Sequence, residues 1–281
     1  MNRCALQLGL ELRKLFARKR TLLGFGAFAF VEMLIPALFE LEKVKRPLRQ
    51  LIEQRGYAFD EYFSGLTLAL LTLRTTILLL GALYVALVAG DIVAKEVEDG
   101  TMRMLLSRPV SRFRVLAVKF TATSLYTCAL VLFIGCAALA SGFAHEGPGG
   151  LMALGPQEKI VAFHPAHAGL IRYFTMLPLL ALSLHCIAAA GFMFSCANVK
   201  PAAATIATLS IFFFDLVIRT FPFFDSLEPW LITTRISVWM QVFQPDIPWA
   251  RIVEDYALLL ALDATFLITG WLLFEERDLK A

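Results

Sequence analysis

Six stretches of this chain are long and apolar enough to cross a bilayer, and they constrain the fold more than any other feature. A hydrocarbon core about 30 Å thick needs about 20 consecutive, mostly apolar residues in helical form. The stretches are 21–41, 65–89, 119–142, 171–197, 201–220 and 256–274. Lipid offers no hydrogen bonds, so the backbone of each must satisfy itself, and each predicts a helix. The expected fold is an all-α membrane protein with six transmembrane helices, forming one domain over 1–281. Composition agrees, because 58% of the residues are hydrophobic and only 17% are charged, against roughly 25% charged in soluble domains. That balance excludes a soluble globule, a disordered chain, a coiled coil and a nucleic-acid binder. The fourth and fifth stretches are separated only by Asn198, Val199 and Lys200. Pro201 lacks an N–H and fixes φ, so a tight helical hairpin is expected there.

An even number of spans puts both ends on one side, and Lys and Arg near span ends choose that side. Arg3, Arg13, Lys14, Arg18, Lys19 and Arg20 precede the first span. Lys95, Arg103, Arg108, Arg112, Arg114 and Lys119 lie between the second and third. Lys200, Arg277 and Lys280 fall on the same side. The opposite side receives Lys43, Lys45, Arg46, Arg49, Arg55, Lys159, Arg235 and Arg251. The bias places both termini in the cytoplasm, although the run from Lys43 to Arg55 is a counter-signal. The first apolar stretch is too long for a signal-peptide core and has no small-residue cleavage site after it, so a retained span is expected. The five cysteines, Cys4, Cys128, Cys136, Cys186 and Cys196, avoid the segments assigned outside and give no disulfide framework.

The flanking segments carry their own patterns. In residues 1–20, Leu6, Leu10, Leu12, Leu15 and Phe16 interleave with Glu11, Arg13, Lys14, Arg18 and Lys19, which predicts an amphipathic helix along the cytoplasmic face. Val44, Leu48, Leu51, Ile52 and Arg55 predict a short interfacial helix after the first span. Residues 143–168 read as a Gly- and Pro-containing loop. Residues 221–251 hold Phe221, Trp230, Trp239, Phe243 and Trp249, punctuated by Pro222, Pro229, Pro245 and Pro248. This segment is too apolar to float free and too broken to span, so short re-entrant helices are expected before the last span.

The cytoplasmic segment 91–118 is the most informative. Asp99-Gly100 stops one short helix, as Gly does beyond a helix end. Met102, Leu105 and Leu106 supply an apolar face to the next, and the residue before Pro109 ends it. Ser111 is placed to cap the third span. Both signs of charge surround an apolar patch, which is the composition of a docking element. The stretch resembles the signature of the type-two ABC transporter permease family. The matching residues are Glu96, Gly100, Thr101, Leu105, Leu106, Ser107, Pro109, Val110, Ser111, Arg112 and Lys119. The tail Phe274-Glu275-Glu276-Arg277-Asp278-Leu279 resembles the family's Phe-x-x-Arg-Asp ending.

That resemblance implies an exporter-like permease subunit in a bacterial or archaeal cell (inner) membrane. It implies pairing with a second permease copy or a paralogous permease, and binding of separate ATP-binding subunits through a coupling helix. Glu96, Gly100, Thr101, Met102, Leu105, Arg108, Pro109 and Arg112 are the candidate coupling interface, with Leu105 and Met102 expected to fill a groove on the ATPase. The chain contains no Gly-x-x-x-x-Gly-Lys-Ser/Thr run. No cofactor is expected in this chain, with ATP and Mg bound by the partner. The alternatives are an assembly factor or structural anchor and, lastly, an intramembrane hydrolase. No His-Glu-x-x-His or Gly-x-Ser-x-Gly motif supports the hydrolase.

Charges deep in a span cost roughly 2.5–3.5 kcal/mol on insertion scales. Glu32, Arg74, Asp215 and Asp263 fall roughly 17–24 Å from the cytoplasmic ends of their spans at about 1.5 Å per residue. A neutralised buried cluster is expected, with Glu32 the favoured partner of Arg74 because their spans are consecutive. His164 and His167 have a spacing that suits one metal if helical, but no metal site is assigned. His185, inside the fourth span, is expected to be a hydrogen-bonded packing residue.

Overall fold

The computed structural model describes residues 3–39, 41–107, 109–158 and 160–277. Arg108, Lys159, Asp278, Leu279 and Lys280 lie outside the described residues. The amphipathic N-terminal stretch forms α1 (Arg3–Phe16), which buries Leu15. It leads into α2 (Lys19–Phe39), then α3 (Glu42–Gln54), which buries Leu48 and Ile52, and the single turn α4 (Phe59–Tyr62).

The second apolar stretch is one continuous helical path built from three pieces. These are α5 (Gly65–Thr76), a π-helical segment (Ile77–Gly81) and α6 (Ala82–Asp91). At ~1.5 Å per residue the path reaches ~40 Å. The wide π turn breaks its α-helical register, so α5 and α6 present differently rotated faces to their neighbours. Two short helices follow, α7 (Ala94–Glu98) and α8 (Thr101–Leu106).

The third stretch forms α9 (Arg112–Glu146), longer at both ends than hydropathy suggests. Its N-terminus is fixed by Ser111, whose hydroxyl accepts from the Arg114 N–H as expected, and Gly147 with φ +70° ends it. The fourth forms α10 (Ala166–Cys196), the fifth α11 (Pro201–Thr220), and the expected hairpin joins them. The aromatic segment breaks into short helices: a 3-10 piece (Pro222–Trp230), α12 (Ile232–Ile236) and a second 3-10 piece (Ser237–Phe243). The chain closes with α13 (Trp249–Glu275). Among the described residues five helices, α2, α9, α10, α11 and α13, are each long and apolar enough to cross a membrane.

The loop expected over 143–168 is instead partly a β-hairpin, so the fold is helical with one small exception. Strands β1 (Leu151–Gly155) and β2 (Ile160–His164) pair antiparallel. Alternation in so short a run was masked by the surrounding Gly and Pro. The hairpin docks on the start of α5, where Met152 N–H donates to Thr67 Oγ1 at 2.8 Å, and the residue that ends α9 meets the same place, with Gly65 N–H donating to Gly147 O at 2.8 Å. There α5 and α9 touch backbone to backbone, since a Cβ on Gly142 would stand 2.3 Å from the Gly65 carbonyl oxygen. At the centre lies α10, with 67% of its most apolar stretch buried against 22% for α11 and α13. The outer faces of α2 and α11 expose Leu22, Leu23, Phe30, Met33, Ile206 and Phe213, which suits lipid as solvent.

Candidate functional site

One end of the bundle carries α1, α7 and α8, and the segment expected to couple sits there on a braced platform. Val93 and Ala94 N–H groups both donate to Ser195 Oγ, at 3.0 and 2.9 Å, which ties the start of α7 to the last turn of α10. Glu96 is buried, and its carboxylate meets Lys119 Nζ of α9 at 2.8 Å and Lys14 of α1. Lys119, only 1% exposed, also reaches Glu11 of α1 at 3.2 Å. Burial raises the Glu96 carboxyl, but Lys119 and Lys14 outweigh it and hold the group below its ordinary value. A buried charge is tolerated only when its partners are close and hydrogen-bonded, as here. The result is an ionic clip joining α1, α7 and α9.

Gly100 has φ +72°, a conformation that costs an L-residue energy, and it turns the chain from α7 into α8. Thr101 Oγ1 donates to Glu96 O at 3.1 Å across that turn. Beyond α8, Arg112 donates to the carbonyls of Phe274 and Glu275 at 3.1 and 2.9 Å, satisfying the free end of α13. Arg277 donates to Ala197 O at 2.9 Å, which fixes that tail against the α10–α11 hairpin.

The candidate coupling residues therefore divide. Thr101 and Pro109 are exposed, Leu105 and Arg112 are half-buried, and Arg108 is outside the described residues. Glu96 and Met102 are internal, with Met102 fully covered, so neither side chain offers itself to a partner. The apolar face of α8 packs on the bundle, and the opposite face presents Met104, 66% exposed, beside Arg103. Met104 was legible as an apolar residue on the wrong side of the helical pattern. Lys14, Glu11 and Ser195 carry no such signal, because their partners lie about a hundred residues away in the chain.

The four charges expected to be buried do not form one cluster, and only Glu32 and Asp263 are fully buried. Arg74 pairs with Glu158 of the hairpin, Nη2 to Oε2 at 3.3 Å, and donates to Leu154 O. Hydropathy missed this partner because Glu158 lies in a segment read as a loop. Glu32 is 1% exposed and both its oxygens lack a partner among the described residues. Asp215 accepts from Ile232 and Thr233 N–H at 3.2 and 2.7 Å, capping α12. Asp263 meets His185 Nδ1 at 2.8 Å, and His185 Nε2 meets Ser124 Oγ at 2.7 Å.

That last chain has the order of a hydrolytic triad but not its surroundings. Ser124 sits inside α9 with its hydroxyl also 2.9 Å from Phe120 O, and N–H groups within a helix are consumed by the helix, so none is free to stabilise an oxyanion. It serves as an interhelical polar contact. His164 lies on β2 and donates from Nε2 to Phe243 O at 2.8 Å, while exposed His167 lies on α10, so the pair does not converge as metal ligands.

Comparison with known proteins bears on the layout of the whole chain. A Bacillus subtilis (strain 168) protein described as "Uncharacterized protein YhcI" is 38% identical over 74 residues, a match covering 26% of this chain and 23% of that protein. The pattern of the family described as "ABC-2 family transporter protein" matches residues 10–279. A match over nearly the whole length, on a bundle of helices long and apolar enough to cross a membrane, shows that this chain belongs to the ABC-2 transporter family.

Proposed function

We propose that the chain is the permease subunit of an ATP-driven exporter, with six spans and both termini in the cytoplasm of a bacterial or archaeal cell. ATP and Mg bind a separate ATP-binding subunit, and a second permease copy or a paralogous one completes the pore. In this reading 1–281 is one transmembrane unit, and the end carrying α7 and α8 faces the ATPase. The observation that carries the transporter reading is the family match over residues 10–279, and the docking assignment rests on the exposed Met104 on a helix whose other face is anchored. An apolar anchor surrounded by polar residues is the usual core of a binding hot spot. The clip from Glu96 to Lys14 and Lys119, and the Ser195 tie, let a push on α8 reach α1, α9 and α10 together. The 3-10 and α12 pieces before α13 form the outer cover in the same reading.

Replacing Met104 with Asp is expected to lower recovery of the complex with a co-expressed ATP-binding subunit by about tenfold or more, or to uncouple ATP hydrolysis from transport. The isolated chain should keep its elution volume. A normal complex with normal coupling in this variant would overturn the docking assignment.

A further inference from the structure

A cavity of about 600 Å³ opens between the π segment and α6 on one side and α10, α11, α12 and the second 3-10 piece on the other. That volume falls within the range of small-molecule sites. Its two ends differ in chemistry. One end holds Arg74, Glu158 and Arg219, with Arg219 Nη2 3.6 Å and Arg74 Nη2 3.3 Å from the two oxygens of Glu158. The other end is hydrocarbon, with Leu83, Leu184, Ile187, Ile206, Leu209 and Phe213. From Ile206 to Arg219 the wall follows α11 for ~20 Å.

The charged end is unbalanced. Among the described residues two guanidiniums face one carboxylate, and Arg219 is only 8% exposed and Glu158 10%. Arg219 also donates to Ser237 Oγ at 2.9 Å and Thr233 O at 3.3 Å, neither of which carries charge. The next carboxylate along α11, Asp215, is not part of the wall and is spent on the N-terminus of α12. A positive excess against apolar walls is costly alone and strongly attractive to an anion. The side of the cavity is open to the surrounding apolar phase, because Ile206, Phe213 and Leu83 are 64%, 67% and 45% exposed.

We infer that this cavity binds an anionic amphiphile, its carboxylate or phosphate headgroup on Arg74 and Arg219 and its hydrocarbon chain along α11. Naming that molecule as the class of cargo rests on the permease reading above; its binding does not.

The test uses the full chain in nanodiscs of phosphatidylcholine, without ATPase, and a dansyl-labelled long-chain carboxylic acid against its amide and amine analogues. The acid should bind more tightly than either analogue. Arg219→Gln and Arg74→Gln should each weaken it by about tenfold. Glu158→Gln should strengthen it by about threefold or more, since it removes the competing carboxylate. A folding defect lowers binding in every variant and cannot produce these opposite signs. Ile206→Trp, which fills the apolar end and leaves the charges untouched, should weaken it as well. A second set of discs containing phosphatidylglycerol separates the sources. Displacement of the probe identifies a bilayer phospholipid as the occupant, and unchanged binding identifies a free single-chain amphiphile; both support the anionic class. Equal binding of acid, amide and amine, or indifference to the arginine changes, overturns the inference. That result with intact ATPase coupling would leave the permease reading standing, whereas specific binding by a chain that recruits no co-expressed ATP-binding subunit would uphold the cavity and overturn the permease reading.

Discussion

At the scale of single residues, the structure separates charges that depth alone would group. Glu32 and Arg74 sit on neighbouring spans, yet Arg74 turns to Glu158 and Glu32 makes no ion pair among the described residues. The losses in folded yield from Arg74→Met and Glu32→Gln should therefore add to within about 0.5 kcal/mol in a double-mutant cycle. A coupling well above that would restore the pairing suggested by chain order. Glu96 gives a pH signature. Lys119 and Lys14 hold its folded-state carboxyl below the ordinary value of 4.5. Its stabilising contribution is then complete above that value and disappears as pH falls below it, through the lower folded value. Thermal denaturation of the purified chain should show this acid loss in the parent and a smaller one in Glu96→Gln. Equal acid sensitivity in both would mean that the clip contributes nothing to stability.

At the scale of elements, the turn at Gly100 and the ends of α9 and α10 decide how rigidly α8 is held. Gly100 needs φ +72°, so Gly100→Ala should destabilise by about 1 kcal/mol or more, and it should shift the angle between α7 and α8. Weaker ATPase coupling with an unchanged membrane fold is the expected readout, and full coupling with unchanged melting would count against a strained hinge. The sequence was informative here because local chemistry sets local geometry. Ser111 caps α9, Gly100 turns the chain and Pro201 opens α11. The β-hairpin was not legible, since its two short strands gain their stability from docking on α5, where Met152 meets Thr67. An isolated two-stranded hairpin is marginal in water.

At the scale of the whole molecule, the orientation expected from the charge bias makes a direct prediction. In intact cells or sealed vesicles, a cysteine introduced at Glu98 should label only from the cytoplasmic side and one at Pro156 only from outside. The opposite pattern would invert the topology and the docking surface together. Hydropathy by itself determined that this is a multi-pass helical membrane protein, because any segment crossing lipid must satisfy its own backbone and that requirement is written residue by residue. The short motif at 90–119 by itself determined the family, and the match from residue 10 to 279 agrees. Tertiary structure alone decided which side chains of that motif face inward. Glu96 and Met102 are drawn in by Lys119, Lys14 and the packed bundle, and Met104 is left out. It also decided the partner of Arg74 and the cavity shared with Arg219. Helical periodicity fixes which residues share a face, but which face meets which neighbour depends on contacts between segments far apart in the chain, and no local pattern encodes those.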